Sequence, residues 1–264
     1  ARIVTIDRSA QGLDLQALQT LFSQHRPTLY LTTGLLHNPT GHSFTPGQAY
    51  GLLELAKRYE CAIIEDDLYG DLHPEPPPRL VALAGVEQVT YLSGFSKTLS
   101  ANLRVSFVVA SAQMAAELTQ MKLMCGGITS EMLEQLVCSM LNDGTYHKHR
   151  KRVVQGLQAS GARVSGWLQG LGFRLSVPYA GGMFIWATLP AGLDGETLAQ
   201  QALARGLVLA PGILFGFDPQ LRRCMRFNVA HTDTPAVMAG VEALLTNPTL
   251  SLIHISEPTR HAQI

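Results

Sequence analysis

The chain has 264 residues, 46% hydrophobic and 15% charged, with 20 Lys+Arg against 20 Asp+Glu. That balance suits one large folded domain or two modest ones, and it provides no global positive field for nucleic acid or an anionic membrane. No apolar run approaches bilayer length, so a cytoplasmic protein without a membrane span is expected. The opening Ala1-Arg2-Ile3-Val4 has neither a signal peptide nor an initiator Met and suggests a fragment. Cys61, Cys125, Cys138 and Cys224 are far apart and lack any CxxC or Cys/His ligand spacing. Buried, reduced thiols and no metal site are expected.

Strands and helices alternate along the chain. The run Thr28–Thr32 reads as a buried strand ending at Gly34. Thr45-Pro46 then opens a helix, with a hydroxyl cap and proline at the first helical position. Its stripe of Leu52, Leu53, Leu55, Ala56 and Tyr59 has helical spacing. Further short strands follow at Cys61–Ile64, Val89–Leu92 and Val105–Ala110. Continuous apolar strands separated by helices predict a mostly parallel α/β sheet covered on both faces. Some pairs have too short a connection for a crossover helix, so one strand is expected to be antiparallel.

From Ser111 the pattern is helical to about Asn142, where Asp143-Gly144 punctuates, and a long helix is predicted from about Tyr146 to Gly170. Strands near Phe173–Val177 and Met183–Leu189, a helix from Gly195 to Arg205, a strand at Arg226–Ala230 and a helix from Thr234 to Leu245 complete the pattern. This predicts residues 1–145 as part of a large domain, and 146–249 as an interdomain helix with a smaller α+β domain. The stretch Leu250–Arg260 resembles a translated sequencing adapter, so residues 250–264 are expected to be a non-native tail.

Four features fall at predicted strand ends, where open α/β sheets bind ligands. They are Asn38-Pro39-Thr40-Gly41, Asp66-Asp67-Leu68-Tyr69, Ser93-Gly94-Phe95-Ser96-Lys97, and Arg104. In that order they resemble the motifs of the fold-type I enzymes dependent on pyridoxal 5′-phosphate (PLP), the aspartate-aminotransferase-like superfamily. The resemblance implies a PLP-binding domain of that fold in which Lys97 bonds the cofactor and is catalytic. A lysine in a cationic, low-dielectric site loses basicity and becomes a usable amine. Asp66 is similar to the carboxylate that keeps the pyridine nitrogen protonated. Asn38 and Tyr69 are similar to the pair that bonds the phenolate oxygen. Ser93 or Ser96, with Arg104, is similar to part of the phosphate cup. Farther on, Gly181–Trp186 and Pro211-Gly212 are also similar to the family, and Arg226 in Met225-Arg226-Phe227-Asn228 matches the position that binds the substrate α-carboxylate, a bidentate task suited to a guanidinium.

The sequence also departs from the pattern. Many relatives have serine three residues before the lysine, where this chain has Gly94, so the phosphate role is divided between Ser93 and Ser96. The family's glycine-rich phosphate loop, the aromatic that stacks on the ring and the tyrosine given by a partner subunit would lie before Ala1. His147–Arg152 reads as the solvated start of the long helix, since net charge is zero. His37 and His231 read as structural, and Asp67 as a possible turn residue.

Gly-Phe-Ser-Lys-Thr-Leu-Ser and Ile-Glu-Asp-Asp-Leu-Tyr resemble the MocR-type regulators of the GntR superfamily, in which an aminotransferase-like domain follows a winged helix-turn-helix. That resemblance implies the effector domain of a PLP-dependent transcriptional regulator. Its ligand would be an amino acid or 2-oxo acid, it would act as a homodimer, and it would reach DNA only through a missing N-terminal domain. The alternative is a free-standing amino-acid aminotransferase. A PLP lyase or decarboxylase is a third reading, because fold does not determine reaction.

Overall fold

The computed structural model describes residues 2–9 and 11–246, so the adapter-like tail lies outside the described residues. A short hairpin, β1 (Arg8–Ser9) and β2 (Gly12–Leu13), leads into α1 (Leu15–His25). The sequence reading did not include α1. Asp14 caps it by accepting from the Gln16 and Ala17 N–H groups, and Leu18 and Phe22, four residues apart, form its buried stripe.

The elements that follow are β3 (Leu29–Thr32), α2 (Pro46–Arg58), β4 (Ala62–Asp66), α3 (Leu80–Ala84), β5 (Val89–Gly94) and β6 (Ser106–Val109). The expected start of α2 is realised as a capping box. Thr45 Oγ1 accepts from the Gln48 N–H at 3.2 Å, and Gln48 Oε1 accepts from the Thr45 N–H at 3.1 Å. The four strands lie in the order β3-β4-β5-β6. The first two pairs are parallel because α2 and α3 provide the return crossings. Only a 3₁₀ turn, Ala101–Leu103, precedes β6, which therefore pairs antiparallel with β5.

The expected single helical run from Ser111 to Asn142 is two helices, α4 (Ala112–Met124) and α5 (Glu131–Asn142). Gly126, with φ of 68°, and Gly127 interrupt it. No residue of α4 is buried, and Met121, Leu123 and Met124 are exposed. Cys125 and Cys138 are exposed as well, contrary to the expectation for the thiols, while Cys61 is buried.

The long helix α6 (Thr145–Gly170) leads to β7 (Arg174–Leu175), β8 (Phe184–Thr188), α7 (Gly195–Ala204), β9 (Ala210–Pro211), β10 (Cys224–Asn228), α8 (Val229–Thr232) and α9 (Pro235–Thr246). The strand expected to reach Ala230 stops at Asn228, whose Oδ1 accepts from the Ala230 and His231 N–H groups and starts α8. The second sheet runs β7-β8-β10-β9 with antiparallel pairs, and packs with α6, α7 and α9 through Val164, Leu168, Ala202, Met225, Phe227 and Leu244. A separate core joins α1 and α2 to the first sheet through Phe22, Leu52, Ala56 and Ile63. No helix of the described residues is long and apolar enough to cross a membrane.

Candidate functional site

The C-terminal ends of β3, β4 and β5 point the same way, because those strands are parallel. The loops leaving them carry Asn38, Asp66–Tyr69 and Ser93–Lys97. In the first loop, the His37 N–H donates to the His42 carbonyl at 2.8 Å and the Gly41 N–H to the His37 carbonyl at 2.7 Å. Gly41 has φ of 72°, and a Cβ there would lie 3.1 Å from the Phe184 carbonyl, so the loop needs glycine to turn and to approach β8. Arg8 braces the strand below it, donating to the Thr33 carbonyl and Thr32 Oγ1 at 2.6 and 2.5 Å and stacking 4.6 Å over Phe44.

His37 belongs to this brace, its Nδ1 lying 2.9 Å from Thr40 Oγ1. Burial, aided by the charge of Arg8, depresses its pKa from 6.5 to about 3. The unfolded chain takes up this proton as pH falls through the ordinary histidine range, and the folded chain does not. The stability owed to neutral His37 is therefore present above pH ~6.5 and is lost as pH falls toward 3. Urea unfolding of His37→Asn between pH 6 and pH 4 is expected to show a slope shallower than wild type by ~1.4 kcal/mol per pH unit. Equal slopes would remove this assignment.

The second loop divides its two aspartates. Asp66 ends β4 half-buried, with Oδ1 accepting from the Leu68 N–H at 3.2 Å. Asp67 is not a simple turn residue. It is 2% exposed, and its Oδ2 accepts from Arg79 Nε at 2.9 Å and from the Tyr91 hydroxyl at 2.8 Å. Burial raises its pKa against the pull of Arg79. Glu65, also buried, accepts from the Leu80 and Val81 N–H groups at 3.0 and 3.1 Å and so caps α3. Neither Glu65 nor Asp67 was assigned a role from sequence, because their partners lie 12 to 24 residues away with no local spacing to reveal them.

The third loop presents Lys97 exposed between Ser96 and the buried Thr98. Lys97 Nζ stands 5.8 Å from the centre of the Tyr69 ring and makes no hydrogen bond or ion pair among the described residues. Ser93 Oγ donates to the Asp67 carbonyl at 3.0 Å, so that hydroxyl already ties the second and third loops together. Ser96 Oγ has no hydrogen-bond partner among the described residues, which makes it the freer of the two serines. Gly94 fits because a Cβ there would meet Ser106 Cβ at 2.9 Å and the Val105 carbonyl at 3.1 Å. Arg104 is exposed in a left-handed conformation, two residues before the Ser106 that pairs with Gly94. It therefore lies at the same end of β5 as Lys97.

The second sheet contributes Arg226. Its guanidinium lies between the rings of Phe184 at 4.4 Å and Phe215 at 4.9 Å, and Nη1 donates to Asn38 Oδ1 at 2.8 Å. Its Nε is buried without a hydrogen-bond partner among the described residues. Tyr69 packs edge-on against Phe184 at 5.5 Å, and Asn38 lies close enough to help lower its pKa. Burial raises the Tyr69 pKa more than the nearby Arg226 charge lowers it, so the hydroxyl is neutral near pH 7. Asn38, Tyr69, Lys97 and Arg226 thus form one connected group, and the flanking Phe184 and Phe215 were not singled out from sequence.

Two members of the basic run, His149 and Arg150, turn inward rather than into solvent. His149 Nε2 donates to the Thr98 carbonyl at 2.9 Å and Arg150 Nε to the Asp71 carbonyl at 2.7 Å. His231 is exposed on α8.

The sequence model for aminotransferase class I and II matches residues 2–244. The chain is 30% identical over 256 residues to the 2-aminoadipate transaminase of Thermus thermophilus, covering 92% of this chain and 63% of that protein. It is 27% identical over 224 residues to the HTH-type transcriptional regulator YjiR of Escherichia coli, covering 83% of this chain and 47% of the regulator. Among solved structures, LysN, the α-aminoadipate aminotransferase of Thermus thermophilus complexed with N-(5′-phosphopyridoxyl)-L-leucine, superposes with a TM-score of 0.79 at 27% identity. That match covers 93% of this chain and 66% of LysN. The chain therefore spans about half to two thirds of the length of these relatives.

Proposed function

The chain belongs to the aminotransferase class I and II family, and from that premise we propose that it is a PLP-binding domain that recognises an amino acid or 2-oxo acid through Arg226. The observation that carries this reading is the connected group of Arg226, Asn38, Tyr69 and Lys97, with a guanidinium nitrogen buried unpaired and a lysine amine uncommitted. An unpaired buried donor is costly, and a ligand carboxylate would satisfy it.

The residues present fit the cofactor. Lys97 would hold it covalently, and Asp66 would keep a pyridine nitrogen protonated. Asn38 and the neutral Tyr69 hydroxyl would face its phenolate oxygen. Ser96 and Arg104 would receive part of the phosphate, with Ser93 as the other candidate hydroxyl. PLP when bound supplies an electron sink for charge developing at the substrate α-carbon. In this reading Arg226 holds the substrate carboxylate and so orients the bond to be broken. The Lys97 amine, once free, takes the proton from the α-carbon.

For the whole protein, the reading adopted is the effector domain of a MocR-type PLP-dependent regulator, which would reach DNA through a segment outside this chain. Similarity to the HTH-type regulator supports it. The second reading, a free-standing aminotransferase, is favoured by the 30% identity to a transaminase and by the retained Lys97 and Arg226. The exposed apolar residues of α4 and β6, among them Met121, Met124, Phe107 and Val108, support a homodimer that covers them.

Borohydride reduction of the PLP-loaded protein followed by peptide mapping tests the cofactor assignment. The label is expected on Lys97, in a particle whose light-scattering mass is that of a dimer. A label on another lysine rejects the site. Steady release of 2-oxo acid from an amino acid selects the enzyme reading. A spectral response to amino acid without turnover selects the effector reading.

A further inference from the structure

Lys97 is exposed, yet the residues around it are held firmly. Phe95, two residues before it, is 8% exposed, and Thr98, directly after it, is 4% exposed. Both are held by one residue of α6, Tyr146, itself 4% exposed. The Tyr146 ring packs edge-on against Phe95 with centroids 5.5 Å apart and an interplanar angle of 86°. Its hydroxyl lies 3.3 Å from Thr98 Oγ1 and donates to Asp71 Oδ2 at 2.5 Å. Asp71 pairs with Arg79, which also holds the buried Asp67. One helical turn farther along α6, His149 grips the Thr98 carbonyl, and Arg150 grips the carbonyl of Asp71. The first turns of α6 are therefore keyed both to the loop carrying Lys97 and to the loop carrying Asp66 and Tyr69.

We propose that Tyr146 is a positioning residue for the Lys97 amine, clamping the side chains of Phe95 and Thr98 on either side of it and fixing their loop against the Asp66–Tyr69 loop. The inference rests on Lys97 being the cofactor lysine. A lysine side chain has four rotatable carbons, so its nitrogen is only as well placed as the backbone from which it extends. A covalent anchor that must also move a proton needs that placement to within a fraction of an ångström. Burial raises the Tyr146 pKa, so the hydroxyl keeps the proton it donates to Asp71. Because α6 continues into the second sheet's core through Val164 and Leu168, the same clamp ties the Lys97 loop to the body that carries Arg226.

Tyr146→Phe keeps the ring on Phe95 and removes only the hydroxyl. In the full chain, amide exchange at Lys97, Thr98 and Leu99 is expected to rise about tenfold while exchange in β4 stays unchanged. With PLP, the affinity is expected to fall about tenfold, and the pH midpoint of the visible band of lysine-bound PLP to move by roughly half a unit or more. Thr98→Val removes the other partner, and the double variant is expected to lose little more than Tyr146→Phe alone. A lowered melting temperature with an unmoved band midpoint would mean a merely structural role and would overturn the proposal. Unchanged exchange, or losses that add in the double variant, would also overturn it. Borohydride labelling of another lysine in the wild-type chain would reject the cofactor reading and this inference together, whereas a wild-type band that Tyr146→Phe leaves unchanged rejects the inference alone.

Discussion

Arg226→Lys is expected to weaken amino-acid binding to the PLP-loaded protein by about a hundredfold while leaving PLP affinity within a factor of about three. The guanidinium is held between Phe184 and Phe215, with Nη1 on Asn38 and Nε buried without a partner. A carboxylate arriving there can accept two parallel N–H bonds from one rigid fork. Lysine keeps the charge but offers one compact ammonium, so the second charge-assisted bond is lost, at a cost of about 1.5–3 kcal/mol. Its narrow stem also fills the space between the two rings less well than the planar guanidinium. The measurement is the amino-acid dependence of the cofactor's visible spectrum, which reads binding and so serves the effector and enzyme readings alike. Affinity within threefold of wild type would remove Arg226 from the substrate site. An equal loss of PLP affinity would instead indicate general damage to the group around Asn38.

Gly161→Ala is expected to destabilise the protein by about 2–3 kcal/mol, although alanine is the better helix former by about 1 kcal/mol. Gly161 lies on the buried face of α6, where an added Cβ would stand 2.0 Å from Tyr179 Cε1 and 2.1 Å from Cζ. Tyr179 cannot simply swing away. Its hydroxyl sits 2.8 Å from both the Leu157 and Gly182 carbonyls, sharing its one proton between them and holding the loop before β8 onto the helix. Displacing the ring breaks those contacts and loosens the entry to the strand that carries Phe184. Gly156 and Gly166 in the same helix are the control, since an added Cβ meets nothing within 4 Å at either. Gly156→Ala should therefore stabilise by about 0.5–1 kcal/mol. Denaturant midpoints for the two variants should move in opposite directions. A Gly161→Ala protein as stable as Gly156→Ala would show that Tyr179 does not hold α6 in this way.

The parts of the fold legible in the sequence are those with a local cause. The start of α2 was readable because Thr45 and Pro46 act within one turn, while the reciprocal bond from Gln48 came with the structure. The strands β3, β4 and β5 were readable from their apolar runs, although Leu29 and Leu31 leave one face of β3 exposed, where a buried strand was expected. The antiparallel β6 followed from a connection too short to cross the sheet. The helix α1 was passed over, although Asp14, Leu18 and Phe22 supply a cap and a stripe. The joined reading of α4 and α5 overlooked Gly126-Gly127, and the overlong last strand overlooked Asn228 as a cap. Those three differences were written in local signals. Asp67, Glu65 and the inward-turned His149 and Arg150 are different in kind, because each depends on a partner that local spacing cannot identify.

The candidate site divides in the same way. Asn38, Asp66, Tyr69 and Lys97 could be named from sequence because their motifs resemble those of a known family, and they stand at or beyond the ends of parallel strands, which polarity brings to one edge. Sequence by itself determined the family, the order of the loops and the lysine on offer. Only the tertiary structure decided that Arg226 reaches Asn38 across 188 residues. It also decided that Gly94 stands where a serine would collide with β6, that Ser93 is already engaged with Asp67, and that Tyr146 holds both sides of Lys97. Those outcomes depend on how two sheets and α6 pack, which is set by the fit of side chains distant in the chain, and no periodicity or spacing carries that information.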